Sequence, residues 1–465
     1  MKLNGGEDRS EASRRGSLRS SEVNLPKTCV LALALGAVTG GVAVAFRVFL
    51  TLLANFIFSG TISTELHDGV TPADTLASPA LIFIPVLGSL AVTFLVRRIA
   101  PEAGGSGVPD LLQAVEYREA RLRPRLIWAR SLASATSIST GASLGREGPI
   151  IHLGGVLGSL FAPSYWATTA ERVILVAAGA GAGIAGSFNT PLAGMLFALE
   201  LVLGERRLLA VTPVAAAVAM ASIVGDAAFG SGPLLGNTQL PESSALSGIV
   251  VLVPLAGLLG VAAGVISAAF IAGVRWIEDG FQRAFRNPYL QHAMGMLMVG
   301  FILYALQRET GRAYIDGVGT SIVQAIWAGS LSSLALLSLL TLAKWAASLL
   351  SLGSGGSGGV FGPTLFIGAS LGGAFAAAIS LLFPEFAPYS RQLIACGMGA
   401  MMGAVTGANL TAIAGTFELT HDPAILLPTA IGTAAAALVR SRLVAENLFF
   451  ATARRRGYPI QRSPV

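Results

Sequence analysis

The sequence predicts an all-α integral membrane protein. Three observations carry that prediction: a composition poor in charge, a recurrence of long apolar runs, and an internal repeat. Of the 465 residues, 53% are apolar, only 12% are charged and 56 are glycine. Soluble domains carry about a quarter of charged residues, so the apolar excess reads as surface that faces lipid. Glycine without a three-residue period excludes collagen, and the apolar content excludes disorder. Glycine also suits membrane helices that pack closely.

The apolar runs come next. Residues 28–58, 79–98, 168–186, 208–229, 247–275, 293–306, 331–352 and 423–439 approach or exceed what a hydrocarbon core of about 30 Å requires. Between them lie pieces read as too short to span comfortably, 148–162, 191–203, 361–383 and 409–419, which start at Gly/Pro-rich turns. Half-helices that end inside a membrane are tolerated only where they are buried in protein or line a wet cavity. Such interrupted segments point to the substrate site of a transporter.

The third observation is the repeat. Residues 148–161, GPIIHLGGVLGSLF, align with 362–375, GPTLFIGASLGGAF, at a shift of 214. Further on the shift becomes 218: Gly179 and Gly181 match Gly397 and Gly399, and Leu192 and Glu200 match Leu410 and Glu418. Two segments in the same order at nearly the same shift argue for duplication, with 28–245 as the first membrane repeat, 246–440 as the second, and 441–465 as a terminal helix and tail. The stretch 230–245 reads as the linker between halves. Each repeat opens a half-helix with Gly-Pro. Proline fits a first helical turn, and the free N–H groups and positive dipole end of that turn bind anions without a full positive charge.

Charge sets the orientation. Residues 1–27 hold six Lys/Arg and residues 440–465 six Arg within a net charge of +6. Basic ends normally stay in the cytoplasm, as does the connection with Arg118, Arg121, Arg123 and Arg125, and the pair Arg206–Arg207. The connection 59–77, with Glu65, Asp68 and Asp74, is expected outside. Residues 1–27 lack the apolar core of a signal peptide and read as a cytoplasmic tail. The basic residues flank spans rather than forming one folded face, which argues against a nucleic-acid partner. Cys29 and Cys396 lie in apolar stretches and give no disulfide scaffold. His67, His152, His292 and His421 lack metal-ligand spacing, and no GxSxG elbow is present, so neither an enzyme, a metal nor a cofactor is expected.

Four motifs stand in order: GSGVP at Gly105–Pro109, GREGP at Gly145–Pro149, NTPLAGMLFALE at Asn189–Glu200 and GGVFGP at Gly358–Pro363. With the repeats, they resemble the CLC family of chloride channels and chloride/proton antiporters over nearly all of 28–457. The resemblance implies about 17–18 spanning and re-entrant helices in two inverted-topology repeats, in a multi-pass inner-membrane homodimer with one pore per subunit. It implies that the Ser106 hydroxyl, where serine accompanies chloride preference and proline nitrate, holds a chloride together with the amides of Val360 and Phe361. Gly107, Arg146, Gly148 and Phe449 join that chloride-binding set, with Arg146 either an anion-attracting mouth residue or structurally paired. Glu147 matches the family's gating glutamate, which yields its anion position when protonated. His152 is read as packing or hydrogen-bonded, and Lys344 as snorkelling or paired. With only eight residues after Gly457, no cytoplasmic regulatory domain is expected.

Two departures bear on mechanism. The antiporters of the family place a second glutamate after the one matched by Glu200, as an internal proton-transfer group; here Leu201 stands there. The family's central tyrosine aligns with Phe449, or with Phe450. Both departures favour passive or loosely proton-coupled chloride flux. The alternative is a coupled chloride/proton antiporter in which Glu200 or a water chain supplies protons to Glu147.

Overall fold

Every apolar run singled out above forms helix. The computed structural model describes residues 23–64, 79–163, 166–204, 209–236 and 246–460. Glu65, Asp68, Asp74, Arg206, Arg207 and residues 237–245 of the linker lie outside them. Seventeen α-helices follow among the described residues. The first nine are α1 (Leu25–Ser59), α2 (Ala80–Arg98), α3 (Val108–Tyr117), α4 (Leu126–Ser139), α5 (Glu147–Phe161), α6 (Thr169–Phe188), α7 (Pro191–Phe197), α8 (Val211–Phe229) and α9 (Leu246–Ala284). The others are α10 (Pro288–Thr310), α11 (Thr320–Trp327), α12 (Leu334–Gly353), α13 (Phe361–Leu382), α14 (Ser390–Thr406), α15 (Asn409–Thr420), α16 (Leu426–Leu443) and α17 (Leu448–Arg455). Nine helical stretches among the described residues are long and apolar enough to cross a bilayer.

The helix ends follow local rules. Thr168 and Glu171 form a reciprocal capping box at the start of α6. Glu171 also accepts from the Asn24 backbone at 3.2 Å and meets Lys27 at 3.5 Å, which ties the start of α1 to that of α6. Asn287 caps α10 at one end and Gly311, in the left-handed region, at the other. These caps carry α10 beyond the apolar window 293–306.

Some expectations need correction. Residues 361–383 are not a short piece: α13 is one helix of 22 residues, because its glycines pack against α14 instead of breaking it. The window 247–275 runs on to Ala284 within α9. Three helices went unread, α4, α11 and α14. Helix α14 is walled by protein and rich in small residues, α11 is only eight residues long, and α4 is rich in small and polar residues although it leaves Trp128 and Leu132 exposed.

The repeat is visible in the packing. A methyl added to Gly154 would strike the Gly179 carbonyl oxygen, and one added to Gly368 would strike that of Gly397. Helices α5 and α6 therefore touch backbone to backbone at the same sequence positions as α13 and α14. The basic connection and the C-terminal segment share one face: Arg456 pairs with Asp110 at 2.5 Å, Arg118 lies 5.9 Å from the Tyr458 ring, and the Tyr117 hydroxyl donates to the Pro459 carbonyl.

Candidate functional site

Three helix starts converge where the motifs meet. The Gly105 amide donates to the Gly356 carbonyl and the Gly358 amide to the Gly105 carbonyl, each at 3.2 Å. Gly145 and Gly359 exchange two further bonds of 2.8 and 2.6 Å. Gly107, at φ +81°, turns the chain into α3, a conformation that glycine adopts without strain. A side chain at Gly148 would strike the Ser106 carbonyl oxygen and come within 2.8 Å of the Gly359 Cα. Ser106, Gly107, Glu147, Gly148, Val360 and Phe361 are thus brought together from both halves of the chain.

The stitching leaves donors over. The amides of Gly358 and Gly359 are engaged, but those of Val360 and Phe361 reach no backbone carbonyl among the described residues outside the helices. They sit at the start of α13 with the positive end of its dipole. The half-buried Ser106 hydroxyl makes no hydrogen bond with the described residues. Glu147 is only 6% exposed. Its own amide and that of Gly362 lie against its carboxylate, and Oε2 has no hydrogen-bond partner among the described residues. A carboxylate here stands at a helix start that would serve a free anion equally well.

Below the site, three aromatic rings form a row. Phe361 lies 5.8 Å from Phe197 and 6.0 Å from Phe449. Phe449 is the ring that reaches Phe361, whereas the Phe450 amide donates to Asn447 at the cap of α17. Arg146 is buried, stacks on Phe188 at 4.8 Å, and leaves Nε and Nη2 unpartnered among the described residues. Of its two readings the structural ion pair is therefore missing. His152 is fully buried beside Gly107, and neither ring nitrogen has a partner among the described residues; among them it packs rather than hydrogen-bonds. Lys344 does not snorkel: it is fully buried and donates to the carbonyls of Ile315 and Gly317 at 3.0 and 2.7 Å.

Glu200 and Leu201 lie in a π-helical turn, Ala198–Leu203, that continues α7. Leu201 is buried in the apolar core. Glu200 accepts from the amides of Leu410 and Thr411, each at 3.0 Å, and from the Thr411 hydroxyl at 2.9 Å. Its repeat partner Glu418 returns the contact, accepting from the amides of Leu192 and Ala193 at 2.7 and 2.8 Å. Each carboxylate caps the short helix of the other half. Glu418→Gln removes the charge that two amides share, and is expected to destabilise the protein by about 1.5–3 kcal/mol. Thermal unfolding in detergent reads the change; an unaltered midpoint would mean that the cap contributes little.

A cavity of about 70 Å³ opens beside Glu147. Its walls are almost wholly apolar, with Phe361, Ile184, Met402 and Leu419 among them; Thr190, Thr320 and Thr411 also border it. It has room for more than one water. Thr411 joins it to Glu200.

Sequence reasoning missed Arg130. This fully buried guanidinium donates to Asp110 at 2.8 Å, to the Gly105 carbonyl at 3.3 Å and to the Glu102 carbonyl. It lies directly behind the Ser106–Gly107 turn. A lone arginine within an apolar stretch was the available signal. Outside the membrane, burial would raise the pKa of Glu102, but its own amide, Arg125 and Arg123 hold it below the usual carboxylate range.

Residues 88–441 match the family described as voltage gated chloride channel. The chain belongs to this family, the CLC proteins. Among its relatives, a protein from Salmonella paratyphi A named H(+)/Cl(-) exchange transporter ClcA is 30% identical over 426 residues, covering 90% of this chain and 86% of the relative. One of the same name from Salmonella arizonae is 31% identical over 450 residues, covering 94% and 91%. Among solved structures, a slow cyanobacterial Cl−/H+ antiporter superposes on this CLC chain with a TM-score of 0.79 at 26% identity, covering 93% of this chain and 98% of the other. A CLC-type fluoride/proton antiporter, at 23% identity and a TM-score of 0.73, shares the fold.

Proposed function

We propose that this CLC protein exchanges chloride for protons across a membrane, with Glu147 as the gate that carries both. One observation bears most of the weight: a buried carboxylate stands at a convergence of helix starts whose remaining donors, at Ser106, Val360 and Phe361, suit a dehydrated anion. Ionised, Glu147 occupies the anion position. Taking up one proton neutralises it, releases it from the helix start, and lets chloride take its place. Returning the proton to the opposite side restores the carboxylate and expels the ion. Two events tied to one group give exchange.

The names of the relatives favour this alternative over the passive flux to which Leu201 and Phe449 had inclined the sequence reading. The cavity supports it too. It reaches from Glu147 to Thr411, whose hydroxyl donates to Glu200, the one carboxylate left at the end of α7 where Leu201 takes the second position. Gly107, Gly148 and Arg146 complete the chloride environment, and Phe449 closes it from the terminal helix. The assembly is a homodimer with one pore per subunit in the inner membrane, with both termini cytoplasmic. The shared face of the basic connection and the C-terminal segment accords with that orientation.

Reconstituted vesicles test the proposal. Chloride leaving the lumen down its gradient is expected to drive protons inward against theirs; chloride flux without proton movement would restore the passive reading. Glu200→Gln is expected to slow proton movement about a hundredfold or more, as for loss of a proton-transfer group. An unchanged proton rate would remove Glu200 from the path.

A further inference from the structure

Lys344 is a fully buried cation in α12 that the exchange cycle has not used. Its ammonium donates to the carbonyls of Ile315 and Gly317 and sits 5.0 Å from the centre of the Phe366 ring. The loop it holds, 313–319, is unusual: Tyr314, Gly317 and Gly319 all have positive φ, at 48°, 49° and 77°. A left-handed tyrosine persists only where its surroundings fix it. Val318 of this loop and Thr320, just beyond it, line the cavity of Glu147. The Val318 Cγ1 lies 3.0 Å from where a Cβ on Gly362 would stand, and Gly362 is the residue whose amide faces the Glu147 carboxylate.

The geometry points to Lys344 as a positioning residue of the Glu147 gate, one that fixes the wall of the gate's cavity and sets the field in which its carboxylate takes up a proton. This rests on the gating reading of Glu147. The charges that face Lys344 are those of Asp316, in the anchored loop, and Glu147. Those that face Glu147 are Arg146 and Lys344. Asp316 is half-buried, and its Oδ1, itself shielded from solvent, has no hydrogen-bond partner among the described residues. The ammonium is one of the charges that act on the gate. Coulomb interactions in protein interiors are much less screened than in water.

The experiment reads the external pH at which chloride flux into vesicles is half-maximal. Lys344→Met removes the positive charge and is expected to raise that pH by about one unit. Asp316→Asn leaves the ammonium less compensated and is expected to lower it. Lys344→Arg keeps the charge and is expected to stay within a few tenths of a unit of the native protein. Both shifts vanish when Glu147→Gln is also present. Unmoved midpoints, or shifts of the same sign in the Met and Asn variants, would overturn the assignment. If Lys344→Met does not fold, the direction seen with Asp316→Asn decides. Should Glu147→Gln alone leave the pH dependence in place, the gating reading itself fails, and that result is distinct from failure at Lys344.

Discussion

Glu147→Gln is expected to conduct chloride while moving no protons. The amide keeps the size of the side chain but cannot take up and release a proton near neutral pH. Nor does it carry the negative charge that competes with chloride for the Gly362 amide. Proton flux is expected to fall at least about a hundredfold, the smallest effect usually seen when a proton-transferring group is removed. Chloride flux persists and loses its pH dependence. Simultaneous recording of chloride efflux and proton uptake from vesicles separates the two. A variant that still pumps protons would show that the buried carboxylate at the helix starts is not the carrier, and the exchange mechanism would need another acid.

Arg130→Met is expected to cost stability rather than coupling. The fully buried guanidinium joins the carbonyls of Glu102 and Gly105 to Asp110 in the first turn of α3. Asp110 retains Arg456 from the C-terminal segment and the Gly105 carbonyl retains the Gly358 amide, but the Glu102 carbonyl loses the guanidinium. Since no buried charge is left unpaired, the expected cost is that of losing charged hydrogen bonds, about 1.5–3 kcal/mol. Thermal unfolding in detergent would register the loss, with earlier aggregation on size-exclusion chromatography. Arg130→Lys is expected to recover only part of it, since an ammonium lacks the planar fork that serves three acceptors. A methionine variant as stable as the native protein would mean that the turn holds itself.

Much of this was legible from residue order. The lipid-facing helices announced themselves by length and hydropathy, and the four motifs marked the turns that meet at the site. The glycine matches of the repeat foretold the backbone contacts of α5 with α6 and of α13 with α14. What stayed hidden was hidden for physical reasons. Helix α14 is enclosed by other helices, so its sequence needs small residues more than long apolar ones. Glu200 and Glu418 were matched as repeat partners, yet nothing in their spacing disclosed that each would cap the other half. That contact depends on tertiary crossing of two short helices. The burial of Lys344 was equally unreadable, because an anchoring loop 27 to 29 residues away in sequence supplies its acceptors.

The crossed caps also constrain how the protein is made. Leu192 and Ala193 emerge from the ribosome more than two hundred residues before Glu418, and Glu200 precedes Leu410 by a similar interval. Until the later segment arrives, the amides at the start of α7 face hydrocarbon or whatever water reaches them, and Glu200 has no helix start to join. The first half therefore waits in the bilayer as an unfinished piece, held by its long spans and open at its short ones. Closure comes only when α15 crosses α7 and satisfies both halves in one event. Because both halves stand in one chain, the meeting of α7 and α15 belongs to folding rather than to assembly.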